Sequence, residues 1–511
     1  MKSAEELSKA MAAGYAFEGK SIVLGTAIFD KQAVHGAQIR IPLNTVNRHG
    51  LIAGATGTGK TKTIQQFAES LSENGISVLC MDIKGDLSGI AKPGTENPKI
   101  TSRHQSIGSD WKATQFPVEL MSISNEKGLR LRATVSEFGP VLFSKMLELN
   151  ENQQGVLTIV FKYCDDKKLP LLDIKDFRQA LQYISNEGKN ELSAYGQVSS
   201  ATVGVIMRKL LELEQQGADR FFGEKSFDVE DLLRKEGERG YINVVRLTDM
   251  QDKPKLFSTF MLCLLAEVYA KFPEMGDKAA PKLVIFIDEA HLIFKEATKN
   301  LLSQLETVIK LIRSKGVGIY FCTQIPGDIP DEILSQLGAK FQHAMRAFTA
   351  KDRKDIKLVA ENYPSTEYYD TETLLTELGI GEAFVTVLSE KGTPTPLAHT
   401  LLCAPRSRMD ILSSDEQDAI VKSSSIYNEY NEEIDRESAY EILNRKLKGE
   451  SNDDESPETE KKQTKKSEEK TTSIADTISA VANNSTVRTV VREVTRGLLG
   501  ALFGTTPRRR R

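Results

Sequence analysis

The residues with the clearest chemistry lie between His49 and Thr61, in the sequence HGLIAGATGTGKT. The glycines allow a tight turn in which backbone N–H groups point at phosphate oxygens, and Lys60 adds a positive charge for the β- and γ-phosphates. The Thr61 hydroxyl is placed to ligate Mg²⁺. The pattern predicts a phosphate-binding loop for a nucleoside triphosphate. Its predicted binding residues are Gly54, Ala55, Thr56, Gly57, Thr58, Gly59, Lys60 and Thr61.

A second chemical motif, KLVIFIDEAH, occupies residues 282–291. Its apolar run predicts a buried strand, and Asp288 and Glu289 emerge at the C-terminal end of that strand. A phosphate loop needs such an acidic partner: Asp288 would hold the Mg²⁺ shell with Thr61, and Glu289 would polarise the attacking water as a general base. The alternative is a strand that ends in solvated acids, which the complete phosphate loop disfavours. The additional glutamate favours a hydrolysing motor over a nucleotide-binding switch.

Polar side chains also follow two other apolar runs. SVLCMDIKGD at 77–86 ends in Asp82, Lys84 and Asp86, and VGIYFCTQ at 317–324 ends in Gln324. Because the carboxyl ends of parallel strands share one edge of a sheet, Gln324 can sense the γ-phosphate or position water there. Asp82 either lies next to the same site or caps a turn.

The elements that must position these residues follow an alternating order. The residues before the phosphate loop predict a strand, and 62–72 predicts a helix whose N-terminus favours anions. Further apolar strands and amphipathic helices alternate as far as about residue 403. Residues 89–109 predict an exposed loop, because they are rich in glycine, proline and asparagine. The fold class predicted is α/β, with a mainly parallel sheet.

Composition limits the remaining possibilities. The chain has 511 residues, 40% of them apolar and 27% charged, and a net charge of −4, which argues against a uniformly basic nucleic-acid binder. The five cysteines are widely spaced and include no CxxC pair, so a reducing compartment fits best. No apolar run approaches the length of a membrane span, and the N-terminus lacks a signal-peptide pattern. We therefore expect no transmembrane segment and a cytoplasmic location.

The C-terminal region changes character. Residues 451–473 form a mixed-charge stretch that cannot bury enough apolar surface to fold. The final segment places Arg488, Arg492 and Arg496 on one helical face, and from Val487 onwards seven arginines face one glutamate, a net charge of +6. This tail can hold nucleic acid, an anionic membrane surface or an acidic patch on a protein. Its apolar GLLGALFG run makes protein docking at least as well supported as DNA contact.

Taken together, GATGTGKT, FIDEAH and IYFCTQ closely resemble the motifs of the HerA–FtsK superfamily of ring-forming P-loop ATPases, and the chain looks most like the HerA-like DUF853 (YjgR-type) family. The resemblance covers roughly residues 20–405 and the C-terminal RTVVREVTRGLLGALFG. It implies a RecA-like core and an ATP that sits between adjacent subunits of a hexamer, where arginines complete the site. Arg48 and Arg313 match by position; one would act in trans and the other as a sensor. A solvated surface arginine is the alternative for each.

The chain also departs from the DNA-translocating members, because the β-domain that precedes the ATPase is at most a short remnant and no winged-helix reader is visible.

The predicted organisation is a β segment at 1–46, an ATPase core at 47–405 with a helical insertion at about 113–240, a helical extension at 406–448, a disordered charged linker at 449–475 and a basic amphipathic segment at 476–511. No NKxD motif is present, which favours ATP over GTP. The predicted function is a Mg²⁺-dependent ring ATPase that translocates duplex DNA; the alternative is a protein-directed ATPase or scaffold that binds its partner through the insertion or the basic tail.

Overall fold

The computed structural model of the protein describes residues 3–448, with gaps at 197, 277–279, 296–298, 433 and 435. The predicted charged linker at 449–475 and the basic segment at 476–511 therefore lie outside the described residues. The chain divides into two compact units. The first is formed by the chain up to Arg132 together with Ser226–Glu432, and the second by Ala133–Lys225 together with the chain from Glu433.

The first unit contains a sheet of 12 strands in the spatial order β2-β1-β14-β13-β12-β3-β11-β10-β4-β9-β5-β6, and a separate hairpin of β7 and β8. The strands are β1 Ser21–Phe29, β2 Gln32–Pro42, β3 Gly50–Ala53, β4 Ser77–Asp82, β5 Val118–Ser122, β6 Leu129–Arg130, β7 Lys235–Glu236, β8 Arg239–Gly240, β9 Ile242–Arg246, β10 Leu283–Ile287, β11 Val317–Thr323, β12 Ala339–Gln342, β13 Glu382–Thr386 and β14 Ala398–Leu402.

The sheet is mainly parallel, which confirms the predicted fold class. Every neighbouring pair from β12 to β6 runs parallel. The pairs from β12 through β13 and β14 to β1 and β2 are antiparallel. All residues of β3, β10 and β11 are buried, as expected for central strands covered on both faces. The predicted N-terminal strands extend this same sheet, since β1 pairs with β14.

Seventeen helices are described in addition to short 3-10 turns. They are α1 Ala4–Gly14, α2 Lys60–Glu73, α3 Pro98–Ile107, α4 Val135–Met146, α5 Glu151–Asp166, α6 Ile174–Ser185, α7 Ser200–Gln215, α8 Ala218–Phe221, α9 Pro254–Lys271, α10 His291–Lys295, α11 Lys299–Ile312, α12 Asp331–Leu334, α13 Ala350–Glu361, α14 Thr371–Glu377, α15 Ser414–Ser423, α16 Tyr427–Asn431 and α17 Ala439–Lys448.

The second unit is helical and contains α4–α8 and α17. The rings of Phe143, Phe161 and Phe177 pack together in its interior, with centroids 4.9–6.0 Å apart.

β5 and β6 lie within the range 113–240 that the sequence pattern assigns to the insertion, yet they belong to the sheet of the first unit. Buried Glu119, paired with Arg234, interrupts the apolar run of β5, so the sequence gives no strand pattern there.

The prediction of an exposed loop at 89–109 is wrong for the second half of that range, where the structure contains α3. The Asn97 side chain accepts a hydrogen bond from Ile100 N and thus caps the helix, and Pro98 occupies its first position. Gly108 ends the helix in the left-handed region, at φ 72°. The same residue types that suggested a loop are therefore the start and stop signals of a short helix.

Helix α2, which follows the phosphate loop, is held on the sheet by aromatic packing. Phe67 is fully buried, and its ring centroid lies 5.6 Å from that of Phe286, 5.2 Å from that of Tyr320 and 5.9 Å from that of Phe341. These rings belong to β10, β11 and β12. The helix is thus fixed over the strands whose ends carry the candidate chemistry.

We expect Phe67→Ala to lower the free energy of unfolding by about 3–5 kcal/mol, because truncation leaves a cavity between α2 and three strands. Chemical denaturation monitored by circular dichroism measures the change. Phe348→Ala is the matched control, since that ring is 85% exposed and its loss should change stability little. Equal effects of the two substitutions would contradict the packing described for α2.

Candidate functional site

The phosphate loop connects β3 to α2 and is fixed by backbone hydrogen bonds to neighbouring strand ends. Gly54 N donates to Thr323 O at 3.2 Å, and Ala55 N donates to Ala344 O at 2.8 Å. Gly57 and Gly59 have φ values of 79° and 110°, which side chains with a Cβ rarely adopt. The loop therefore has the conformation in which successive N–H groups can surround an anion at the start of a helix.

The two reactive side chains of the loop are both in place. Lys60 is buried, and its Nζ donates to the carbonyl oxygens of Gly54 at 2.6 Å and Ala55 at 3.1 Å, so the ammonium lies within the loop. The Thr61 hydroxyl donates to Asp86 Oδ2 at 3.1 Å. Thr56 and Gly57 are exposed at the tip of the loop.

Asp288 and Glu289 follow β10 directly, and both side chains are buried. Burial raises the pKa of Asp288, and the nearby Lys84 ammonium opposes that shift. The Glu289 carboxylate has two close contacts: Oε1 forms an ion pair with Lys84 Nζ, and Oε2 lies 3.1 Å from His291 Nδ1. Glu289 also has φ 46°, a left-handed backbone that is uncommon outside glycine.

A short segment after β4, residues 83–87 and here named the β4 loop, brings two further charged groups to the site. Buried Asp82 anchors it by accepting hydrogen bonds from the backbone N–H groups of Gly85 at 2.8 Å and of Asp86 and Leu87 at 3.2 Å. Burial and the adjacent Asp86 raise the pKa of Asp82 to about 7. Asp82 therefore caps a turn and also lies beside the site, so both interpretations of this residue hold.

Lys84 and Asp86 are absent from the set of site residues predicted from sequence. Asp86 contacts Thr61, and Lys84 contacts Glu289. The signal that could have found them is their position after β4, because β4 is the direct neighbour of β10.

The strand register explains why these groups meet. Ile287 of β10 lies opposite Met81 of β4 and Phe321 of β11, so Asp288 follows at the level of Asp82 and Cys322. Burial and Asp288 raise the pKa of the Cys322 thiol, and the charge of Lys60 opposes this shift. The phosphate-loop lysine and the β10 carboxylate are thus close enough for both charges to act on one thiol.

Two carboxylate oxygens at this edge are not compensated by the protein. Within the described part of the chain, the buried oxygens Asp288 Oδ2, Asp86 Oδ1 and both carboxylate oxygens of Glu289 have no hydrogen-bond partner. The Glu289 oxygens lie against nitrogen atoms of Lys84 and His291, whereas the described residues make no such contact with the Asp288 and Asp86 oxygens. Such atoms are costly to bury unless something binds them, and Mg²⁺ prefers carboxylate and hydroxyl oxygens. The donor set of Thr61, Asp288 and Asp86 therefore fits a Mg²⁺ ion that takes its other ligands from phosphate and water. The described residues contain no group of three or more His, Cys, Asp or Glu side chains arranged to hold a metal by themselves.

Gln324 lies at the same edge of the sheet, where its side chain is open to solvent. It follows Thr323, whose strand position is opposite Ala53, and its side chain is exposed. Thr323 itself donates to Asp328 Oδ2 at 2.7 Å. Gln324 is thus near the entrance of the phosphate loop and open to a ligand.

Arg48 and Arg313 lie at the opposite edge of the sheet. Arg48 ends a 3-10 helix, Leu43–Arg48, before β3, and Arg313 begins the 3-10 turn Arg313–Lys315 before β11. Since β3 and β11 are parallel and β11 has seven residues, about 20 Å separates this edge from the phosphate loop. Neither arginine is brought to the phosphate loop of its own chain.

Buried histidines lie at both edges. His49 accepts from Ile319 N through Nδ1 at 3.0 Å and is 2.9 Å from Ile309 O through Nε2. His343 lies beneath the phosphate loop, with its Nε2 3.0 Å from the Thr63 hydroxyl. A Cβ added to Gly54 would lie only 2.5 Å from the Cβ of His343, so the two backbones approach closely there. Burial lowers the pKa of each imidazole to about 4, with Arg313 adding to the effect at His49 and Lys60 at His343.

The model of the helicase HerA-like C-terminal family matches residues 28–511. The chain belongs to this family. The HerA-like chain is 23% identical over 375 residues to the DNA double-strand break repair helicase HerA of Saccharolobus solfataricus, covering 68% of this chain and 63% of that relative. It is 21% identical over 390 residues to the helicase of the same name of Sulfolobus acidocaldarius, covering 75% of this chain and 69% of the relative. The chain thus spans about two thirds of the length of these curated relatives.

A solved structure shares the fold. The bacterial conjugative coupling protein TrwB, lacking its first 70 residues, aligns with a TM-score of 0.51 at 12% identity, covering 80% of this chain and 94% of that one. Its complex with a non-hydrolysable ATP analogue aligns with a TM-score of 0.50. The predicted HerA-like relationship and the RecA-like α/β core are confirmed, while the individual roles of the site residues stay predictions.

The buried imidazoles of His49 and His343 predict acid sensitivity. Their folded-state pKa of about 4 lies below the ordinary 6.5, so the unfolded chain takes up protons first and stability is lost as pH falls from about 6.5 to about 4. We expect each to lower the free energy of unfolding by about 2 kcal/mol between pH 7 and pH 5.

Urea denaturation of the parent and of His343→Gln at both pH values measures this effect. The variant should lose about half of the contribution of the two histidines to the pH dependence, whatever its absolute stability. His35→Gln is the control, because His35 is exposed. An unchanged pH dependence in His343→Gln would show that His343 is not a buried neutral imidazole.

Proposed function

We propose that this HerA-like chain binds and hydrolyses ATP with Mg²⁺. The observation that carries the proposal is the meeting of Lys60 and Thr61 with Asp288 and Glu289 at one sheet edge, together with the uncompensated oxygens of Asp288 and Asp86. Membership of the HerA-like family supports the same assignment. The phosphate loop, Gly54–Thr61, would bind the triphosphate through its N–H groups.

The residues would divide the reaction as follows. Lys60 balances charge on the β- and γ-phosphates, and Thr61 with Asp288 holds the metal, with Asp86 as a further oxygen donor. Bound Mg²⁺ supplies charge neutralisation on the phosphate oxygens. Glu289 accepts a proton from the water that attacks the γ-phosphorus, as the bond from that phosphorus to the β-phosphate oxygen breaks. Gln324, exposed at the same edge, orients that water or the γ-phosphate.

We further propose that hydrolysis drives movement along duplex DNA in a homo-hexameric ring. The curated relatives are named as DNA double-strand break repair helicases, and this supports DNA as the substrate. The alternative is a protein-directed ATPase, in which the helical unit or the basic C-terminal tail binds a protein. This alternative is supported by the helical unit that contains Ala133–Lys225, because it is a compact body separate from the sheet and could bind a protein.

In a ring, Arg48 and Arg313 could each reach the ATP site of an adjacent subunit. Both lie on the sheet edge opposite the phosphate loop, so either could complete the ATP site of an adjacent subunit and not that of its own chain. This placement supports a trans role for Arg48 or Arg313 over the cis sensor role that sequence resemblance also allows.

We also propose a reducing, cytoplasmic setting. All five cysteines lie in the described ranges and form no disulfide, and four of the five thiols have a pKa raised by burial, so they are held protonated. Among the described residues, no helix is long and apolar enough to cross a membrane.

The ATPase rate with and without duplex DNA tests the function. We expect Glu289→Gln to lower hydrolysis at least about 100-fold, since it removes the general base. Duplex DNA should stimulate the parent several-fold, and the stimulation should fade as salt rises because phosphate contacts release counterions. A parent that hydrolyses ATP without DNA stimulation at any salt would favour the protein-directed alternative. Full activity in Glu289→Gln would refute the catalytic assignment.

Subunit mixing tests the arginine proposal. We expect Arg313→Ala and Lys60→Ala to be inactive separately, but an equal mixture should regain activity at about a quarter of its interfaces, where an intact phosphate loop meets an intact arginine. Native mass spectrometry with ATP present confirms that mixed oligomers form. If mixed rings form and stay inactive, Arg313 does not act in trans; the Arg48→Ala mixture then repeats the test for the second arginine.

A further inference from the structure

The β4 loop touches both halves of the proposed ATP site. Asp86 accepts the hydrogen bond of the Thr61 hydroxyl on the phosphate-loop side, and Lys84, two residues earlier, contacts Glu289 on the β10 side. The backbone between them is held by the three N–H groups that donate to Asp82. The Lys84 side chain can therefore move without breaking this anchor, which is made by backbone groups alone.

Each oxygen of the Glu289 carboxylate is in contact with a nitrogen atom of another side chain. One oxygen faces the Lys84 ammonium and the other lies 3.1 Å from His291 Nδ1. The Glu289 side chain is only 7% exposed, whereas that of Lys84 is 33% exposed. A buried carboxylate paired with an ammonium is stabilised as an ion pair and is poorly placed to accept a proton from water. The general base is thus covered by a cation that itself reaches solvent.

We propose that Lys84 is a positioning residue that leaves Glu289 for the γ-phosphate when ATP binds, so that Glu289 becomes available to water only in the ATP-bound site. The inference rests on the proposed function and deepens it. It assigns to Lys84 a role that neither the phosphate loop nor the acidic motif supplies, and it links ATP occupancy to exposure of the base.

The physical reason for the exchange is charge. A γ-phosphate carries more negative charge than a single carboxylate and offers several acceptor oxygens to an ammonium. It would lie close to Lys60 and Thr61, and the Thr61 hydroxyl already contacts the β4 loop through Asp86. ADP lacks this group, so ADP would leave the Lys84–Glu289 pair intact. The pair would therefore distinguish ATP from ADP before any hydrolysis occurs.

The competing explanation is a permanent structural ion pair that persists with ATP bound. The two explanations differ in how Lys84 and Glu289 are coupled during binding. If Lys84 moves, binding must first break the pair, and Glu289→Gln removes that cost only where Lys84 is present. If the pair is permanent, Glu289→Gln changes ATP affinity equally with or without Lys84.

The experiment is a double-mutant cycle of binding, measured by titration calorimetry with Mg²⁺ and either ADP or a non-hydrolysable ATP analogue. The proteins are the full-length parent, Lys84→Met, Glu289→Gln and the double variant. We expect Lys84→Met to weaken binding of the ATP analogue about tenfold and that of ADP less than about twofold, because one charge-assisted contact to the γ-phosphate is lost. Glu289→Gln should tighten analogue binding clearly more in the parent than in the Lys84→Met background.

Two further variants make the result specific. Lys84→Arg keeps the charge and should retain the parent's preference for the ATP analogue over ADP, and Lys99→Met, on the exposed face of α3, should change neither affinity. Equal tightening by Glu289→Gln in both backgrounds, or equal weakening of analogue and ADP by Lys84→Met, would overturn the inference while the proposed ATPase stands. A parent that binds neither nucleotide would overturn the proposed function, and the inference with it.

Discussion

Charged side chains buried at the end of an apolar sheet must each find a partner, and this requirement organises the site. Asp82 is satisfied by three backbone N–H groups, Lys60 by two loop carbonyls and Glu289 in part by the Lys84 ammonium, with His291 Nδ1 3.1 Å from its other oxygen. Within the described site, Asp288 Oδ2 and Asp86 Oδ1 have no hydrogen-bond partner and no cation in contact, while the Glu289 oxygens lack a hydrogen bond but lie against Lys84 and His291. A protein keeps such atoms unpaired at a cost, so their presence at the same end of the sheet as the Thr61 hydroxyl, which contacts Asp86, supports a cation site there.

The parallel sheet is what brings these groups together. β4, β10, β11 and β3 are consecutive neighbours that all run in one direction, so the residues that follow them emerge at a common edge. Phe67 fixes α2 over the same strands, and the phosphate loop at the N-terminus of that helix is thereby fixed relative to the acids. The geometry of the site follows from strand direction and register, while the loops add only the side chains.

Sequence patterns predict much of this because the central elements are locally consistent. The runs before Gly54, Asp288 and Gln324 are continuously apolar, as both-side burial requires, and they identify three central strands with their polar ends. β5 is missed because its buried Glu119 is neutralised by Arg234, which is distant in sequence. α3 is missed because capping residues resemble loop residues. The Lys84–Glu289 contact is a tertiary pairing that no periodicity encodes.

The balance of charge explains why one chain leaves the proposed site incomplete. At this edge the described residues place Lys60, Lys62 and Lys84 near four carboxylates, and a triphosphate would add several negative charges. Mg²⁺ offsets part of this charge, but charge that spreads over the γ-phosphoryl during hydrolysis needs additional cations. Arg313 precedes the seven-residue β11, and Arg48 precedes β3, which leads directly into the phosphate loop, so each lies about 20 Å along the sheet from its own phosphate loop. If these arginines serve the reaction, the rigidity of the sheet requires that they serve a neighbouring subunit, and hydrolysis is then coupled to assembly.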